Sequence, residues 1–336
     1  MDINTLKTAL TFDDVSLVPQ YSTVKSRHDV DLSCGQHFGF SMTTPILSAN
    51  MRTVTGTEMC KAISEAGGVG VLHRFDDDYM GQIDRLNGDE INFIPSVGVD
   101  DYVEILKYYN DVGIKNICID VAHGHHSKMR SICNHIADNY NFTIIAGNVC
   151  TVSGARFLAS LGVEVIKVGV GPGSHCTTRV VTGHGVPQLT AILEIRDNLP
   201  NVGIIADGGI RNSGDIAKAL AAGADYVMIG RLLAGCEEAP SEAVLRPNGL
   251  KKIYRGSASY EAQAARRDKR TIIAEGVQSE IPYTGAVGDV IKKLSNGIKS
   301  ACSYTGAYNL KEFRRSAQFV KISPASFIEG TPHGMG

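Results

Sequence analysis

Eight short apolar runs recur at a regular interval, and this recurrence limits the fold more than any other feature of the chain. They are PILSAN at 45–50, VGVLH at 69–73, FIPSVGV at 93–99, NICIDVA at 116–122, TIIAGNV at 143–149, VEVIKVGVG at 163–171, GIIADGG at 203–209 and DYVMIG at 225–230. Most are rich in Val and Ile and close on Gly, Asn, Asp or His. Continuous apolar runs of this length read as strands buried on both faces, as in a parallel sheet. Between them lie helical patterns: GTEMCKAISEAG, DYVEILKYYNDVG, SKMRSICNHIADN, SGARFLASLG and SGDIAKALAAG. Several of these close on glycine, as helix C-termini do. The alternation predicts an α/β fold, a (β/α)8 TIM barrel with a C-terminal appendage. A doubly wound sheet is the alternative, and eight regular units with no break in composition favour closure. Residues 1–336 read as a single barrel catalytic domain, with 236–336 containing the last helix, an active-site loop and a C-terminal extension.

With 336 residues, 43% of them hydrophobic, the chain can bury a large core. A net charge of -2 with mixed signs makes no electrostatic case for nucleic acid or an anionic membrane. No apolar run approaches the ~18 residues that a membrane span needs. The N-terminal MDINTLKTALTFDD lacks the basic start and apolar segment of a secretory signal, so a cytoplasmic location is expected. The eight cysteines form no CxxC pair, and Cys118 and Cys236 sit in or beside apolar runs. Free thiols in a reducing compartment fit this better than a disulfide framework, and no ligand spacing supports structural zinc.

Barrel enzymes carry their sites at the C-terminal ends of the strands. Here Asn50, His73, Asp120, Asn148, Gly171, Asp207 and Gly230 all fall there. The longest gap follows the sixth run and opens on GVGPGSHCTTR at 169–179. Its glycines and proline prescribe a fixed backbone path that ends on Cys176. A lone cysteine is commonly a small hydrophobe. One placed after a rigid loop, near exposed N–H groups and Arg179, is poised as a thiolate nucleophile. The glycine spacing does not run straight into a helix, so it is a poor dinucleotide fingerprint. IIADGGIR at 204–211 and VMIGRLLAG at 227–235 end the seventh and eighth runs, where barrels often form a phosphate site. Asp207 there would take ribose hydroxyls, and GSAS at 256–259 adds donors. HGHH at 123–126 has the composition of metal ligands but no carboxylate partner at helical spacing, so a nicotinamide-facing or surface role is expected. The basic ARRDKR at 265–270 reads as a solvated loop that would at most guide a phosphorylated cofactor.

Together these residues resemble the purine-nucleotide oxidoreductase family of IMP dehydrogenase and GMP reductase. The likeness runs through LTFDDVSLVPQYSTV at 10–24, SANM at 48–51, DVAHGH at 120–125, AGNV at 146–149, GPGSHCTTR at 171–179, ADGGIR at 206–211, the GSAS loop and AEG at 274–276. It implies attack of Cys176 on C2 of a purine nucleotide monophosphate, with Thr178 and Glu275 as a proton relay. The substrate would be held by Ser48, Asn50, Ser174, Asp207, Gly209, Gly230, Arg231, Gly256, Ser257 and Ser259. Arg74, Asp120, Ala122, His123 and Arg179 would face an NADPH cofactor. Potassium would sit at Gly171, Gly173 and Cys176, and the assembly would be a homotetramer.

Some features resemble the reductase branch. Asn50 stands where dehydrogenases usually have proline, and STVKSRHDVDL at 22–32, HRF at 73–75 and YRGSAS at 254–259 are reductase-like. The short span from Arg74 to Ile91 leaves no room for the paired regulatory domains of most dehydrogenases. Residues 259–275 lack the Arg-Tyr pair of the dehydrogenase flap, whose arginine activates water. Other features resemble dehydrogenases: VPQLTAI at 186–192, and FIEGTPHG at 327–334, which is similar to their potassium-binding segment. Arg52 and Arg231 fit neither branch. The resemblance thus implies NADPH-dependent reductive deamination of GMP to IMP. The alternatives are a minimal IMP dehydrogenase, a reductase of a deoxy or modified purine nucleotide, and a non-catalytic purine-sensing barrel.

Overall fold

All eight apolar runs are strands of one closed parallel barrel in the computed structural model, which describes residues 6–256 and 275–330. A short strand β1 (Val15–Leu17) precedes it. The barrel comprises β2 (Ile46–Ser48), β3 (Val69–Leu72), β4 (Phe93–Val97), β5 (Asn116–Asp120), β6 (Thr143–Val149), β7 (Val165–Val168), β8 (Gly203–Asp207) and β9 (Tyr226–Ile229). The strands pair in chain order, and β9 closes on β2. The five helical patterns form α1 (Thr57–Glu65), α3 (Tyr102–Asp111), α4 (Ser127–Asn139), α5 (Val152–Ala159) and α8 (Ser213–Ala221). Two helices were not evident from those patterns. One is α2 (Tyr79–Gly88), whose YMGQIDRLNG carries two glycines, poor helix formers. The other, α7 (Gln188–Asn198), fills the long gap after β7 together with the short α6 (Thr178–Thr182).

Strand periodicity explains how the interior is built. Successive side chains alternate faces, so residues two apart share one. Leu47, Val71, Ile94, Cys118, Ile145, Val165, Ile205 and Met228 pack together inside the barrel, with Phe38 and Met42 joining them from the preceding segment. Two residues further along the same strands come Ala49, His73, Ser96, Asp120, Gly147, Lys167, Asp207 and Gly230. The layer above the apolar plug is therefore where polar groups gather, at the C-terminal mouth.

Beyond β9 the chain forms α9 (Arg231–Ala234) and then an antiparallel sheet of β10 (Ala243–Arg246), β11 (Gly249–Arg255) and β12 (Gln278–Pro282). The next helix, α10 (Val287–Tyr304), packs against α8 and α1 and so completes the helical ring. Lys252 pins the sheet to the barrel. It is 3% exposed, and its Nζ donates to the carbonyls of Cys236 (2.7 Å), Glu237 (3.0 Å) and Ala239 (2.7 Å). An uncompensated buried ammonium would cost several kcal/mol, so these carbonyls fix where the sheet sits. The last described strand, β13 (Phe319–Lys321), pairs antiparallel with β1. Ser257, Ser259, the span 260–274 and the end of FIEGTPHG lie outside the described residues. Among the described residues, no helix is long and apolar enough to cross a membrane.

Candidate active site

The mouth of the barrel is organised around a buried cation. Lys167 is 2% exposed. Its Nζ donates to Asn50 Oδ1 at 3.2 Å and lies 3.6 Å from Asp120 Oδ1 and 3.7 Å from Asp207 Oδ2. Burial opposes the ammonium, but Cys118, Asp207 and Asp120 around it more than offset this and hold its pKa above the ordinary lysine value. Asn148 Nδ2 donates to the same Asp207 Oδ2 and to the Gly169 carbonyl, both at 2.8 Å. Asp120 and Asp207, on non-adjacent strands, are thus held as a fixed acidic pair. Lys167 was not anticipated as a site residue. Its signal was present: a charged residue two positions after Val165, inside an otherwise apolar strand.

Above this layer runs the cysteine loop. Gly171 adopts φ +84°, and a Cβ there would lie 2.6 Å from the Arg179 side chain; the left-handed backbone and the close packing both require glycine. The Cys176 N–H donates to the Gly173 carbonyl (3.0 Å). Residues 275–277 then clamp the loop like a short strand. Thr177 N donates to Glu275 O (2.9 Å) and Val277 N to His175 O (3.1 Å), with Cys176 paired to Gly276. This clamp delivers the Glu275 carboxylate. Cys176 Sγ donates to Thr178 Oγ1 at 3.3 Å, and Thr178 Oγ1 donates to Glu275 Oε2 at 2.6 Å. Thiol, hydroxyl and carboxylate form one continuous proton path, although Glu275 lies far from Cys176 in the chain.

Cys176 is also the exposed cysteine among the eight, all of which are free. Burial pushes the other seven thiols up, Cys118, Cys133 and Cys236 to about 11. Nucleophilic chemistry needs thiolate, so burial leaves Cys176 as the accessible nucleophile.

The expected nucleotide residues divide by position. Gly230 sits at the end of β9 with no room for a side chain; a Cβ would meet Tyr254 Oη at 2.8 Å and Met51 Sδ at 3.2 Å. Arg231 follows it, exposed. Its charge, after burial, keeps the pKa of the neighbouring His175 low. His175 is itself held by Ser279 Oγ at 2.6 Å and by a T-shaped contact with the Tyr254 ring, the centroids 4.4 Å apart. Ser174 is exposed, and its Oγ lies 3.3 Å from His175 Nδ1. Gly209 lies against Pro172, and the Gly256 N–H donates to Val277 O (3.0 Å). Ser48 is buried and accepts a hydrogen bond from Thr55 Oγ1 (2.8 Å). On the other side, Arg74 Nε lies 3.9 Å from Asp120 Oδ2, with its guanidinium over the Phe75 ring. Ala122 and His123 are exposed on the rim. Arg179 is built into the loop, donating to the Val186 carbonyl (2.8 Å).

The family model for the IMP dehydrogenase / GMP reductase domain matches residues 9–333. The chain belongs to this family. Members similar to it include the inosine-5'-monophosphate dehydrogenase of Borreliella burgdorferi, 35% identical over 395 residues, covering 97% of each chain. The inosine-5'-monophosphate dehydrogenase of Nitrosopumilus maritimus is 31% identical over 469 residues, covering 97% of this chain and 98% of the other. An alignment that long against 336 residues means that this relative carries a large insertion. Among solved structures, a cysteine-to-alanine variant of GMP reductase from Trypanosoma brucei, in complex with guanosine 5'-monophosphate, superposes with a TM-score of 0.90. It is 25% identical and covers 99% of each chain. The protein is therefore an oxidoreductase of a purine-nucleotide family, in which a nicotinamide cofactor is used.

Proposed function

We propose that the protein reductively deaminates GMP to IMP and ammonia, using NADPH. The observation that carries this reading is the continuous path from Cys176 Sγ through Thr178 Oγ1 to Glu275 Oε2. Cys176 gives its proton to the relay and its sulfur bonds to C2 of the purine. The exocyclic amine is a poor leaving group until protonated, and the relay returns a proton to it as the C2–N bond breaks. The result is a thioimidate on Cys176. Covalent catalysis of this kind divides one hard displacement into two easier steps. The reduced nicotinamide, when bound, supplies a hydride to C2, after which the C2–S bond breaks and the thiolate is free again.

The residues around Asp120 fit such a cofactor. Arg74 Nε is buried without a hydrogen-bond partner, next to the Asp120 carboxylate, and an orphaned donor of this kind is normally explained by a missing ligand or water. Ala122 and His123 extend the same rim. The three residues expected for potassium are partly committed, since the Gly173 carbonyl already accepts the Cys176 N–H; no step here uses the ion. The reading includes a cytoplasmic homotetramer.

A second reading, oxidation of IMP to XMP with NAD, is favoured by the names of the curated relatives. Reduction is preferred because the reductase-like Asn50 is in contact with Lys167, and because six residues join β3 to α2, where a regulatory pair would be inserted. An absorbance assay crossing GMP and IMP against reduced and oxidised cofactors separates the two. The expected result is oxidation of NADPH with GMP, with ammonia released. Consumption of NAD with IMP as the only reaction would reverse the assignment.

Arg231 supplies a further test. An exposed guanidinium directly after Gly230 suits a bidentate phosphate contact. Arg231→Ser should raise the KM for the nucleotide about tenfold or more and spare kcat, the pattern of lost uniform binding. A fall in KM would mean that the arginine crowds the site.

A further inference from the structure

A cleft of about 580 Å³ opens between the β2–α1 loop, the β3–α2 loop and the base of the β10–β12 sheet, and Cys176 is not on its walls. Three guanidinium groups reach it from three elements: Arg52 after β2, Arg85 in α2 and Arg255 at the end of β11. Arg85 pairs with Asp78 at 2.8 Å, and Arg255 Nε donates to Gln278 Oε1 at 2.5 Å. Arg52, exposed, has no ion pair or hydrogen bond among the described residues.

Two further groups on the same walls can act as donors, a hydroxyl and a ring N–H. Ser241 Oγ is buried without a hydrogen-bond partner, a state that native structures seldom leave unexplained. His73 is 1% exposed, and its Nδ1 accepts the Phe75 N–H at 3.1 Å. Burial, opposed by Asp76 and reinforced by Arg52, pushes the His73 pKa down to about 4. The ring is therefore neutral, with its proton on Nε2. Of the carboxylates present, Glu238 already accepts the Val287 N–H (3.0 and 3.1 Å) and Asp76 the Asp78 N–H (3.2 Å). Glu58 and Glu242 complete the acidic side.

The volume is that of a small-molecule site. A guanidinium is matched to a phosphate, hydroxyl and imidazole donors to its remaining oxygens, and carboxylates to the vicinal hydroxyls of a sugar. We propose that this cleft binds the ribose phosphate of a nucleotide, with Arg52 and Ser241 on the phosphate and Glu58 and Glu242 on the sugar hydroxyls. The cleft is wired to the cysteine loop. The Arg255 N–H donates to Thr53 Oγ1 at 3.2 Å, the next N–H, of Gly256, to Val277 O at 3.0 Å, and Val277 N to His175 O at 3.1 Å. The bound group is either the distal half of the dinucleotide cofactor or a separate nucleotide that acts as an effector. Binding at the cleft is independent of the direction in which the redox step runs.

Calorimetric titration of ribose 5-phosphate into the full-length protein tests this without turnover. Wild-type protein should bind it, and Arg52→Ser and Ser241→Val should each weaken binding at least tenfold, whereas Arg231→Ser should leave the cleft component in place. An unchanged rate of Cys176 alkylation in each variant establishes that the barrel is folded. Competition by NADPH assigns the cleft to the cofactor, and binding additive with NADPH assigns it to a separate nucleotide. No binding, or binding removed by Arg231→Ser but untouched by Arg52→Ser and Ser241→Val, overturns the proposal.

Discussion

Cys176→Ala should abolish turnover while leaving nucleotide affinity within about tenfold, or about 1.4 kcal/mol. The Cys176 thiol is exposed, and the hydrogen bond it makes is to Thr178, so it reacts with the nucleotide rather than anchoring it. Without it no thioimidate forms, and the remaining groups cannot divide the displacement into two steps. Comparing kcat with a calorimetric dissociation constant separates the two effects. Activity above a few per cent of wild type would exclude the covalent route. Cys236→Ala is the matched control. That thiol is fully buried, between the Leu232 carbonyl and Thr284, so its loss should alter stability slightly and turnover hardly at all.

Glu275→Gln should slow deamination by about 10²–10⁴-fold, the usual contribution of a positioned acid–base group. The amide keeps the shape of the side chain and still accepts the Thr178 hydroxyl, but it cannot store and return the proton that the departing amine requires. Ammonia release in a single turnover measures this step directly. Alkylation of Cys176 should continue in the variant, because the backbone clamp between residues 175–177 and 275–277 does not involve the carboxylate. A rate within threefold of wild type would remove Glu275 from the relay. Sustained XMP production from IMP would assign water activation to Arg266, Arg267 or Arg270, all outside the described residues.

The barrel was legible because its strands are buried on both faces, which leaves continuous apolar runs that local periodicity detects. Polar residues closing those runs were expected to gather at the strand ends, and Asp120 and Asp207 lie in the polar layer there. The cysteine loop announced itself through glycines and a proline whose backbone demands are local. Three things were not local. The β10–β12 sheet is anchored in part by Lys252, bonded to three carbonyls, and nothing in the sequence near Lys252 states that partnership. Lys167 reads as an oddity inside a strand until the fold closes and surrounds it with Asn50, Asp120 and Asp207. The cleft at Arg52 joins residues from the β2–α1 and β3–α2 loops, α1, α2 and β11. The family resemblance named Glu275 as part of the relay, but its 2.6 Å bond to Thr178 exists only because a distant segment lies down beside the cysteine loop. Elements came from the sequence because apolar runs and helical burial patterns are local features of the chain. Charges brought together from distant strands leave no such period, so the site's electrostatics were decided only when the barrel closed.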